Sequence, residues 1–171
     1  MTPTVLQGNV FTALRAFILT LVTCPVIRTQ ANRVAMPVGA FVAMTQMTGA
    51  PLSTNVHTYD AAAQTQSILR PEQFAIQVDC YGAGSGDTAR MIATLLRDTI
   101  ATDFFATTGF DIEPLFAGDA KQIPLTDGEQ QYEERWTFDA QLQINPVMTT
   151  AQQSATSLTI GLDPIDQTFA P

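Results

Sequence analysis

"QFAIQVDCYGAGSGDTARM", residues 73–91, carries an alternating apolar segment through three glycines into a segment with helical spacing. Phe74, Ile76, Val78 and Cys80 fall on one side of a strand, with Gln73, Gln77 and Asp79 on the other. That is the period of a sheet with one buried face. Met91, Ile92, Leu95, Leu96 and Ile100 then predict a helix from Asp87 to about Ile100, buried along one stripe. Phe104 and Phe105 extend its apolar end into a loop.

A strand, a glycine-rich turn and a helix are also how many nucleotide enzymes hold phosphate. The dinucleotide fingerprint requires G-x-G-x-x-G, but Gly82, Gly84 and Gly86 run G-x-G-x-G. A phosphate loop follows its last glycine with Lys and Ser or Thr; here Asp87 and Thr88 follow. A carboxylate at the start of a helix caps free amides and repels a phosphate. The turn therefore reads as a flexible connection capped by Asp87, and the alternation before it points to an antiparallel sheet rather than a doubly wound one.

Working outward, "YEERWTFDAQLQIN" (132–145) is the clearest strand in the chain. Tyr132, Glu134, Trp136, Phe138, Ala140, Leu142 and Ile144 alternate with an almost wholly polar set. Residues 112–126 give a broken strand pattern interrupted by "AGDA". Upstream, "MPVGAFVAMTQM" (36–47), a turn at 48–51 and "LSTNVHTYD" (52–60) predict a long hairpin, from β-formers flanking a Gly and Pro turn. Residues 61–71 read as a loop or short helical turn. Near the start, Asn9 is placed to cap a helix carrying Phe11, Leu14, Ile18, Leu21 and Val22 on one face, widened by Phe17 and Leu19 and stopped by Pro25. The fold class is α+β: a mixed, mainly antiparallel sheet with two helices packed on one face, plus an extended C-terminal arm.

We expect an α+β unit over residues 1–146 and an arm over 147–171, because from Asn145 the apolar residues scatter, two interior prolines appear and charge thins out. Such a segment either folds back on a sheet edge or orders on a partner. The length of 171 residues suits one domain. Charged residues make up 14%, against about 25% in soluble domains, so something other than water covers part of the surface. Seven of the eight basic residues are arginine, the cation favoured at interfaces, although drift in codon usage would also produce that bias. Residues 1–98 carry six basic against five acidic side chains and residues 99–171 two against eleven, so +1 and −9 sum to the net −8. No basic stripe is present to bind a phosphate backbone.

Cys24 and Cys80 sit in apolar runs and read as free thiols of a reducing compartment. The apolar stretch from Val10 to Ile27 is interrupted by Arg15 and Pro25 and reads as a buried helix, not a membrane span or signal segment. His57 is the only histidine, which leaves a triad or a zinc cluster without partners. Ser85 has Ala83 and Asp87 where a nucleophile elbow needs glycines. Asp111 with Glu113 and Glu133 with Glu134 are local carboxylate pairs best explained as solvated faces, and residues 127–134 lack the spaced ligands of a calcium loop. No catalytic, cofactor-binding or metal-binding residue is expected.

Nearly the whole chain resembles the neck or tail terminator proteins of contractile-tailed bacteriophages and prophages. The likeness runs through "FTALRAFIL", "NRVAMPVGAFVAMT", "PLSTNVHTYD", "QVDCYGAGSGD", "LLRDTIATDFFA", "DGEQQYEERWTFDAQLQINPV" and the low-charge tail. It implies a non-enzymatic virion protein of the neck, six copies of which form a ring that ends the tail tube and joins it to the head-tail connector or adaptor proteins. The tube protein, the sheath protein and further copies of the chain are the implied partners, with the genome passing through the lumen without sequence-specific binding. Assembly in the host cytoplasm, no cofactor and no membrane contact are likewise implied. On that footing Phe104, Phe105, Leu115, Phe116, Val147, Leu158, Ile160 and Phe169 are candidate interface residues. Asp127, Glu133 and Asp139 are candidates for an acidic lumen that DNA slides past. Another head-tail joining protein, or a small nucleotide-binding enzyme built on the glycine turn, are the alternatives.

Overall fold

A computed structural model describes residues 3–30, 36–126 and 132–153. Its main sheet is built on β5 (Glu72–Tyr81) and β10 (Arg135–Ile144), paired antiparallel without interruption from Arg135 with Tyr81 to Ile144 with Glu72. β2 (Phe41–Pro51) lies on the far side of β5, and β1 (Val26–Arg28) adds to β2 in parallel. β6 (Ile112–Ala117) and β7 (Lys121–Gln122) pair with β10 on its other side, and the short strands β8 (Leu125–Thr126) and β9 (Tyr132–Glu133) pair antiparallel with each other. The parallel β1 makes the sheet mixed and every other pairing in it is antiparallel, as the alternation predicts.

Three helices cover one face: α1 (Gln7–Leu21), α2 (Ser85–Leu96) and α3 (Thr99–Ala106). Val42, Met44, Phe74, Ile76, Val78, Cys80, Phe138, Ala140, Leu142 and Ile144 form the sheet side of the core. Val10, Leu14, Phe17 and Ile18 of α1 and Ala89, Ile92 and Leu96 of α2 form the helix side. Phe17 is fully buried and meets the rings of Phe104 and Phe105 at 5.5 and 5.9 Å between centroids, which ties α1 to α3.

Several elements differ from the sequence reading. The predicted second helix is two helices, because Asp98 accepts a hydrogen bond from Ile100 N at 3.2 Å and starts α3 afresh. Phe104 and Phe105 therefore lie in a helix, not a loop. Met91 and Ile100, predicted to be buried, are exposed. Helix α1 begins at Gln7, before Asn9, whose side chain reaches back to Leu6 N at 2.7 Å. The 36–60 hairpin does not form: β2 takes β5 as its partner, and β3 (Val56–Asp60) instead pairs with β4 (Thr65–Leu69), a strand inside the stretch read as a loop. Asp60 Oδ1 accepts from Ala62 N and Ala63 N at 2.9 and 3.0 Å, which builds the β3–β4 turn. β11 (Val147–Ala151) completes this second sheet against β4, so the first residues assigned to the arm run as a strand.

Phe17→Ala would remove the buried ring that joins α1 to α3. It is expected to cost about 3–5 kcal/mol, measured as a lowered midpoint in urea unfolding.

Candidate assembly surfaces

The glycine turn is a packing device. Gly82 has φ +88° and a Cβ there would come within 2.9 Å of Ala40 Cα, so the chain can pass β2 only without a side chain. Gly86 is met by the Trp136 ring, which would lie 2.8 Å from an added Cβ. Glu134 closes the turn. Its carboxylate accepts from Gly84 N at 3.3 Å and from Trp136 Nε1 at 3.1 Å, and its backbone carbonyl accepts from Gly82 N at 3.0 Å. The N-cap of α2 is Gly84 rather than Asp87, whose exposed side chain pairs with Arg90 at 3.5 Å. The structural reading of the turn holds, but the carboxylate set against its amide belongs to Glu134.

The face of the sheet away from the helices carries a polar network. Arg135 Nε and Nη2 donate to Asp79 Oδ1 at 3.2 and 3.0 Å, and Gln77 Nε2 donates to both Asp79 oxygens at 3.0 Å. Arg135 lies over the ring of Tyr81, which stacks on Phe41 at 4.5 Å. Asp79 is buried, so removing either partner would leave a polar group unpaired within the sheet. Burial, then the Asp79 charge, pushes the Tyr81 hydroxyl above its ordinary pKa of 10.0, with Arg135 opposing. Burial, with the nearby Cys24 and Asp79, raises the Cys80 thiol from 9.0 to about 12. The register explains the sorting: Phe41, Tyr81 and Arg135 form one row across the strands, and Ala43, Asp79 and Thr137 another.

The predicted interface residues separate. Phe105 is 0% exposed and packs on Phe17, so burial in the core removes it from any surface; Phe104 is half-buried beside it. Leu115 and Phe116 are 45% and 44% exposed on β6, where Arg97 lies over the Phe116 ring at 4.7 Å. Val147 is half-buried in β11, and its N–H donates to Thr4 Oγ1 at 3.0 Å. Leu158, Ile160 and Phe169 lie outside the described residues. Of the acidic candidates, Glu133 and Asp139 are exposed, and Asp127 lies outside the described residues. Sequence reasoning missed the exposed Met36 and Val38, which line an apolar hollow with Phe41 and Tyr81. The strand predicted at 52–60 is present as β3, but its place was not anticipated: all five of its residues are exposed at the edge of the second sheet. His57 lies on that edge strand, with Gln66 Nε2 donating to its Nδ1 at 2.9 Å. Among the described residues no group of three or more His, Cys, Asp or Glu side chains could hold a metal ion, and no helix is long and apolar enough to cross a membrane.

A family model described as phage neck terminator protein matches residues 8–168. The chain belongs to that family. This phage neck terminator also has the fold of a solved chain, the sheath/tube terminator of an extracellular contractile injection system called PVC, determined by cryo-EM in its extended state. The two share 10% identity with a TM-score of 0.54 over 96% of the present chain, which spans 65% of the length of the other. No curated protein sequence matches. Family membership makes the terminator a structural component of a phage tail.

Asp79→Asn or Arg135→Met, each leaving a partner behind in the sheet network, is expected to lower stability by about 3 kcal/mol, read by denaturant titration. Cys80 in the folded terminator should resist iodoacetamide at pH 8. Because the unfolded chain releases that thiol proton from about pH 9 and the folded chain holds it to about 12, stability should fall as pH rises through this window.

Proposed function

We propose that this terminator assembles as a ring of six copies at the end of the tail tube, stops tube growth, meets the end of the sheath and joins the tail to the head-tail connector or adaptor proteins. The genome passes through the ring's lumen. The family match over residues 8–168 carries this reading. The structure supports it with a surface suited to cover by neighbours: exposed Leu115, Phe116, Ile123 and Met36, a fully exposed Val38, and a strand edge at β3 that is unpaired among the described residues.

A ring needs head-to-tail contacts between unlike surfaces of each copy. Leu115 and Phe116 at one edge of the main sheet, the half-buried Phe104, and Val147 with the C-terminal residues Leu158, Ile160 and Phe169 would supply them. Residues 147–171 would act as an arm from the unit formed by 1–146, with β11 as its anchored root. Glu133, Asp139 and Asp127 would face the lumen, where carboxylates repel phosphate and keep DNA from sticking. The role is structural, exercised at the neck of the particle after assembly in the host cytoplasm. A second joining protein of the neck is the alternative, and it differs in one respect: it would leave the tube length unchanged.

Particles assembled without this chain should carry tail tubes of variable, excess length with no head attached, and adding the purified chain should restore a uniform length. Electron micrographs of tube lengths check this. Uniform tubes in its absence would favour the joining-protein alternative.

A further inference from the structure

Helix α2 and the 118–120 turn enclose a cleft of about 230 Å³ whose rim carries Arg90 and Arg97. In a chain of net charge −8 with eight basic residues, two of them meet here. Both guanidinium groups are held on aromatic rings, Arg90 over Trp136 and Arg97 over Phe116, each at 4.7 Å. A guanidinium fixed in this way loses less freedom when it takes up a carboxylate. The nearby acids leave capacity: Asp87 and Asp119 each approach only to 3.5 Å and are almost fully exposed, a geometry worth little in water.

We propose that this cleft receives the Asp163–Asp166 stretch of a second copy of the chain. The proposal rests on the ring reading, since it needs another copy alongside. Residues 154–171 contain two acidic side chains, Asp163 and Asp166, and no basic one, so their charge complements the cleft. Spacing agrees as well. Seven residues along a helix place Arg90 and Arg97 about 10 Å apart, and Asp163 and Asp166 stand three residues apart in the sequence, a separation that can reach about 10 Å. Reach favours a neighbour over the same copy. The cleft lies beside Trp136 and Asp139 in the first half of β10, where Gly118 N donates to Asp139 O. The described chain leaves at Gln153, past the end of β11 where Ala151 pairs with Thr65 at the β3–β4 turn. Fourteen residues separate Gln153 from Asp139 and ten separate it from Asp163, so a return to its own cleft would have to retrace two strands with a shorter segment.

The test uses full-length chain carrying Arg97→Lys, prepared as a mixture of ¹⁴N- and ¹⁵N-labelled copies and assembled on tail tubes. Carbodiimide then couples the amine introduced at position 97 to an adjacent carboxylate with loss of water, and mass spectrometry reads the isotopes of the linked peptides. Coupling to Asp119 of the same copy shows that the reaction works. We expect mixed-isotope links from the position-97 amine to Asp163 or Asp166, reduced about tenfold when Arg90→Glu puts a like charge in the cleft. Assembled rings with only the Asp119 link, or with links to Asp163 or Asp166 that are never of mixed isotope, would overturn the cleft assignment and leave the ring reading standing. Failure of the unsubstituted chain to assemble on tubes would remove both.

Discussion

The structure depends on the register between β5 and β10. Ten consecutive residue pairs, from Arg135 with Tyr81 to Ile144 with Glu72, set Cys80, Val78, Ile76 and Phe74 in rows with Trp136, Phe138, Ala140 and Leu142. Because side chains alternate, a slip of one residue would send that whole set to the face that carries Asp79, Gln77 and Asp139. The helices have one apolar surface on which to pack, and its continuity comes from this pairing. Glu134, just before β10, then fixes where α2 can start, by holding the turn between β5 and that helix.

These strands were legible because each carries its own period. β5 and β10 alternate for ten residues apiece with large apolar side chains on one side, a signal that no competing pattern offsets. β2 was legible as a strand and misread in its partner. Gly49 and Pro51 look like a turn to a neighbouring strand, yet they continue the ladder to β5 through an irregularity between Gln46 and Gly49. β4 was not legible at all: Thr65–Leu69 is half-buried at every position, so it shows no alternation. Asp98 and Thr99 did carry a capping signal, which the unbroken apolar spacing from Met91 to Phe105 concealed.

The surfaces were less legible than the fold, for a physical reason. Apolar residues at a loop and apolar residues at a core-facing helix look alike in sequence, and Phe105 falls on the core side of that distinction while Leu115 and Phe116 on β6 remain exposed. The glycine turn reads as structural from what it lacks. Only the folded chain shows why Gly86 is needed, since the Trp136 ring that occupies its space lies fifty residues away in sequence.

That the chain ends a tail tube is tested most directly by its position in an intact particle. A cryo-EM reconstruction of the phage neck should show density for this fold as a single ring stacked on the last tube layer, with one face toward the head. Finding the chain elsewhere in the tail, repeated along the tube, or absent from purified particles would contradict the account.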